Sequence, residues 1–140
     1  MLVNVSYNDP SLTDRIDKEV GKPFTLKERF KLKGVGSPKL FITSCSIDIH
    51  NLLVLDNNLN TCNIEIRPAG IIIRFRSLLE TFALVVPFYK LKIYKGQARE
   101  YSLYRDHYFI KVKADENVHT FMRKLAGYKS DLAPTNIEDL

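Results

Sequence analysis

The chain lacks tryptophan altogether and has only two cysteines, six glycines and six prolines in 140 residues. Cys45 and Cys62 stand alone, without a CxxC or CxxH spacing. That excludes a disulfide framework and the common zinc patterns, and leaves two thiols expected as small core residues. Too little glycine and proline for a collagen-like or low-complexity chain excludes both. Long hydrophobic runs are missing too: a stretch such as Phe82 to Phe88 falls far short of the ~20 residues that carry a helix across a bilayer. The start, Met1-Leu2-Val3-Asn4-Val5, breaks off into Ser6-Tyr7-Asn8-Asp9, so no signal peptide and no transmembrane segment are expected, and the chain reads as cytoplasmic.

What is present fits one ordinary globular domain, with 45% hydrophobic, 26% charged and 11% aromatic residues. A domain of this size buries enough of its surface to fold without a metal or disulfide staple. The net charge is +5, and it is unevenly distributed. Residues 22–39 hold Lys22, Lys27, Arg29, Lys31, Lys33 and Lys39 against Glu28 alone. Residues 81–113 hold Lys90, Lys92, Lys95, Arg99, Arg105, Lys111 and Lys113 against Glu100 and Asp106. The rest of the chain is mildly acidic.

Residues 11–20 predict a short helix with Ser11 as N-cap, Leu12, Ile16 and Val20 on one face and Gly21 just past the end. Phe24 to Lys33 fits a strand or a helix, and as a basic alternating run it is expected to be an edge strand or an arm packed on its own domain. Gly34-Val35-Gly36-Ser37-Pro38 reads as a loop. Its glycines do not make a phosphate-cradling turn, because Lys39 takes the third glycine's place and Pro38 stands where a helix should open. That loop separates an N-terminal arm, residues 1–39, from a main body, residues 40–128, with 129–140 as a tail.

From Leu40 onward, period-two alternation recurs between turn residues. Strands are expected at 40–45, 47–55, 62–67, 71–76, 81–86, 89–94, 101–104 and 108–113, with Asp56-Asn57-Asn58 as a turn. The period then changes to that of a helix. Asp115 is a suitable cap, Val118, Phe121, Met122 and Leu125 form an apolar stripe, and Gly127 is expected to end it. The fold class that follows is α+β: a mainly antiparallel small β-barrel or strongly bent sheet, with a C-terminal capping helix and an N-terminal arm.

A meander of about seven short antiparallel strands closed by one amphipathic helix over residues 40–127 resembles the pleckstrin-homology-like superfamily. Val86-Pro87-Phe88-Tyr89-Lys90-Leu91-Lys92-Ile93 is also similar to the apolar-Pro-aromatic stretch of its bacterial members. Residues 1–39 have no counterpart in it. The resemblance implies a binding scaffold for phosphoinositides, peptides or oligomer partners, with no shared catalysis, and no cofactor is expected. In lipid-binding members a basic residue is followed at a distance by a basic-x-basic pair, and Arg67 followed by Arg74-Phe75-Arg76 looks similar. Arg74 and Arg76 share one strand face, and Arg67 lies across the Pro-Gly turn, so the three are candidates to surround a phosphate.

The alternation also directs Arg74, Arg76, Lys90, Lys92, Lys111 and Lys113 outward, with Tyr94 and Phe109 interleaved. If their strands adjoin, that face suits a nucleic-acid backbone and stacked bases; otherwise it is a solvated face whose lysines discourage edge pairing. Five tyrosines crowd residues 89–108, and Tyr94 and Tyr104, expected to point outward, are candidate partner contacts. Asp48 and His50 are too few for a metal site, and neither His107 nor His119 has a nucleophile at a recognisable spacing. No catalytic or metal-binding residue is therefore assigned. The expected role is non-catalytic binding of a protein partner, including a second copy of the chain, or of an anionic lipid or phosphate. The alternatives are a nucleic-acid-binding protein and a small enzyme whose site assembles only on folding. A pocket gathering His50 or His107 with carboxylates would favour the enzyme, and a filled barrel with an exposed sheet edge would favour the binding module.

Overall fold

A computed structural model describes residues 1–55, 60–96 and 99–132. The expected turn at Asp56-Asn57-Asn58 and the tail from Ala133 onward lie outside the described residues. The fold is α+β, with one open, eight-stranded antiparallel sheet. Its strands are β1 (Leu2–Asn4), β2 (Leu40–Cys45), β3 (Thr61–Arg67), β4 (Gly70–Ser77), β5 (Glu80–Pro87), β6 (Lys92–Gly96), β7 (Glu100–Arg105) and β8 (Tyr108–Lys113). Among the described residues four helices accompany them: α1 (Pro10–Val20), α2 (Leu26–Lys31), α3 (Ile47–Leu53) and α4 (Glu116–Leu132). The strand order is β1-β5-β4-β3-β2-β8-β7-β6.

β2 joins the two limbs of this sheet. Leu40 and Phe41 pair with β3, whereas Ile42, Ser44 and Cys45 pair with β8 across an irregularity between Ile42 and Ser44. The inner faces of both limbs share one core with α4. Ile64, Ile73 and Leu84 come from one limb, Leu103, Ile110 and Val112 from the other, and Val118, Phe121, Met122 and Leu125 from the helix. The apolar stripe expected around residues 118–125 is thus what α4 buries, and the Asp115 carboxylate accepts the Val118 N–H at 2.9 Å.

The outer face of β4 and β5 carries a second, smaller core. Ile72, Ala83 and Val85 pack there against Ile16 and Val20 of α1. Apolar cover on both faces explains why Thr81 to Val86 is continuously apolar rather than alternating. The N-terminal residues are built into this layer. Val3 pairs with Ala83, and Gly21, at φ +86°, turns the chain tightly against Pro68.

Several expectations need correction. Residues 47–53 are a helix, not a strand: Ile49 and Leu53 are one turn apart and buried while Ile47 is exposed. α1 is capped by Asp9, whose carboxylate accepts the N–H groups of Ser11 and Leu12, and Ser11 lies inside the helix. α4 runs through Gly127 to Leu132, so the first residues of the supposed tail are helical. Phe88 to Lys90 form a turn, held by the Lys90 N–H to Pro87 carbonyl bond of 3.0 Å, and β6 starts only at Lys92. Residues 26–31 are helical because Thr25 and Glu28 form a reciprocal cap.

Candidate functional site

Two of the three candidate arginines of β3 and β4, Arg67 and Arg74, are engaged by carboxylates. Arg67 is buried; its Nε donates to Glu65 at 2.6 Å, and its Nη1 donates to Asp17 at 3.2 Å and to the Gly21 carbonyl at 2.9 Å. Arg74 donates to the other oxygen of Glu65 at 2.7 Å. Burial pushes the Glu65 pKa up, but the hydrogen bonds and charges of Arg74 and Arg67 outweigh it and hold the carboxyl below its ordinary value. Arg67 therefore braces α1 against the sheet, Arg74 bonds across the β3–β4 pair, and Arg76 alone of the three is exposed.

The six outward basic residues do not form one face. Arg74 and Arg76 lie on β4, which β3 and β2 separate from β8. Lys92, Lys111 and Lys113 lie on the other limb, in register with Tyr104, Ser102 and Glu100 of β7 respectively. Lys90 belongs to no strand, yet it joins that limb through the turn before β6.

This second limb contains the most developed surface. Tyr94 and Tyr104 meet edge to face at 5.5 Å between ring centres, Tyr104 meets Phe109 at 5.6 Å, and the Lys111 ammonium lies 6.0 Å from the Phe109 ring centre. Tyr89, Lys90, Lys92, Tyr94, Tyr104 and Asp106 line a groove of about 540 Å³ beside β6. On the other side of the same strand, Lys95, Tyr101, Glu116, His119 and Arg123 line a second groove of about 370 Å³. There the Tyr101 hydroxyl and His119 Nδ1 are hydrogen-bonded at 2.8 Å.

Between the two grooves runs β6, the last strand of the sheet. It pairs with β7 alone, and among the described residues it makes no backbone hydrogen bond outside that ladder. Tyr94 and Tyr104 thus come together as candidate contacts. The second groove was not foreseen, because Lys95 has the opposite strand parity to Lys92 and its partners come from α4. The i, i+4 spacing of His119 and Arg123 was the available signal.

The imidazoles form no enclosed centre. His107 Nε2 lies 3.4 Å from the Asp48 carboxylate, with side chains 69% and 48% exposed, and His50 is exposed on α3. Among the described residues no three His, Cys, Asp or Glu side chains group as metal ligands. Both cysteines are free, and burial, with a smaller contribution from Cys45, pushes the Cys62 thiol up to about 12. Among the described residues no helix is long and apolar enough to cross a membrane. Comparison with protein-family models, with curated proteins and with solved structures gives no match.

Proposed function

We propose that the protein is a non-catalytic binding module on a pleckstrin-homology-like scaffold, and that its β6 edge takes an extended, acidic segment of a protein partner by strand addition. The scaffold reading is supported by the order β5-β4-β3-β2-β8-β7-β6, by β2 serving both limbs, and by the helix that follows the last strand. The single observation that carries the binding reading is the unpaired β6 edge with a basic, aromatic groove on each side.

An added strand directs alternate side chains to opposite faces, and here each face offers its own groove. Its backbone groups would complete the ladder, which supplies affinity, while the grooves supply selectivity. Lys90, Lys92 and Lys95 favour carboxylates, and Tyr89 and Tyr94, both largely exposed, offer amphipathic contact area. A second copy of the chain is a poorer occupant, because edge-to-edge pairing of two β6 strands sets lysines against lysines. The enzyme reading draws no support from the open surface around His107 and Asp48. Phosphate binding draws none from Arg67 and Arg74, whose donors engage Glu65 and Asp17.

Selection from a displayed library of extended peptides is expected to yield acidic sequences, with amide shifts on binding concentrated at residues 92–96. The K92E/K95E double variant should bind them at least about tenfold more weakly. Failure to select any peptide, or shifts mapping away from β6, would sink the reading.

A further inference from the structure

A surface outside the β6 edge carries its own signal. α2 is held at its two ends, with all six of its residues exposed between them. Thr25 and Glu28 form the reciprocal cap at its start, with the Thr25 N–H donating to Glu28 at 3.0 Å and the Glu28 N–H donating to the Thr25 hydroxyl at 3.2 Å. At its other end the Lys124 ammonium of α4 donates to the carbonyls of Leu32 at 2.7 Å and Gly34 at 2.6 Å. Phe24 and Leu32 pack on the main core, and Val35 is buried in it. Yet Leu26 and Phe30, one turn apart, stand 83% and 87% exposed. Their exposure does not come from a loose segment; the fold presents them.

The surroundings of this apolar pair are cationic. At helical spacing Lys27 flanks Leu26 and Phe30 on one side and Arg29 on the other, with Lys31 a turn after Lys27. All six basic residues of 22–39 are exposed. The only acid in that stretch, Glu28, points away from the pair on the wheel and is engaged by Thr25.

We propose that α2 docks the protein on an anionic bilayer surface, with Leu26 and Phe30 entering the headgroup–acyl boundary while Lys27, Arg29 and Lys31 meet acidic headgroups. Charge complementarity selects an anionic occupant. A fluid surface is favoured over a protein groove because all six residues of this short helix are exposed, and two projecting side chains offer too little area to seat a protein partner. Side chains that project so far from their neighbours suit an interface that deforms around them. Two projecting apolar groups and a cluster of cations supply the two weak signals that together give reversible, salt-sensitive attachment. The helix is formed before contact, so docking carries little cost of ordering.

The absence of tryptophan makes a direct test available in the full chain. Phe30→Trp creates a single reporter on α2, and Leu79→Trp creates one at the exposed β4–β5 hairpin tip, where Leu79 is 88% exposed. With vesicles containing phosphatidylserine, F30W emission should shift to the blue and L79W emission should not. Pure phosphatidylcholine vesicles should leave both unchanged, and about 0.5 M salt should reverse the F30W shift. In co-sedimentation, L26S/F30S should bind the anionic vesicles about tenfold more weakly or worse, whereas K92E/K95E should still bind. The proposal is overturned by an F30W spectrum that anionic vesicles leave unchanged, or by equal shifts with neutral and anionic vesicles. A shift produced by polyglutamate but not by vesicles overturns it too, and assigns the face to an acidic polypeptide. Vesicle binding lost in K92E/K95E but kept in L26S/F30S also overturns it, and moves the attachment to the β6 edge.

Discussion

Glu65 accepts from two arginines at once, through a different oxygen for each, and so ties β4 to the Arg67 side chain that reaches Asp17 of α1. Because its folded-state pKa lies below the ordinary 4.5, this carboxylate contributes stability that is fully present above about pH 4.5. The contribution is lost as pH falls through the lower folded value. Glu65→Gln should therefore cost about 2 kcal/mol near neutrality and flatten the acid limb of the stability curve, as urea titrations between pH 3 and 7 would record. An unchanged acid limb would mean that another carboxylate controls it. Gly70 is constrained by space instead. A Cβ there would meet the Val86 carbonyl oxygen, and would lie 2.5 Å from Val20 Cγ1 and 2.8 Å from Pro87 Cα. Gly70→Ala should cost about 2–3 kcal/mol, visible as a lower urea midpoint. The spacing of Arg67, Arg74 and Arg76 was plain in the sequence. The full set of partners of Arg67 was not, because Asp17 approaches it from another layer of the fold.

At the scale of elements, periodicity succeeded where one face alone is buried. β3, β8 and α4 follow their patterns, and the stripe through Leu125 is the face α4 buries. It failed in short segments where two periods fit, as in residues 47–53, whose Ile47 and Ile49 alternate like a strand although Ile49 and Leu53 are the buried pair. It also failed for Phe24, Leu26, Phe30 and Leu32, which look alike in sequence but are divided by the fold into two packed and two exposed residues. Gly127 misled as a terminator because glycine is the commonest helix stop, yet the packing on both sides of it carries the helix onward. No atom outside its helix lies within 4 Å of a Cβ placed there. Gly127→Ala should thus stabilise the protein by about 0.5–1 kcal/mol, read as a higher thermal midpoint. A lower midpoint would show that α4 needs a break at that position.

For the whole molecule, the antiparallel α+β class was legible, but the order of the strands was not. Order depends on which strands turn back across β2, and no local pattern records that. The same information decided that Arg74 and Arg76 lie apart from Lys92, Lys111 and Lys113. An open sheet with a lysine-bearing edge should resist self-association. Replacing Lys92 and Lys95 with threonine, which keeps strand propensity and removes the repulsion, should produce concentration-dependent association in sedimentation velocity where the parent chain shows none. Equal behaviour of the two would place the barrier elsewhere than in edge charge. β2 has a further consequence, in time rather than in space. Its first residues pair with β3, the next strand along the chain, but its last residues must wait for β8, which follows five further strands. The β3–β4–β5 meander can close from local contacts, while joining the limbs requires a long loop to be drawn shut, so the β2–β8 ladder should be the last to gain amide protection in pulse-labelled refolding.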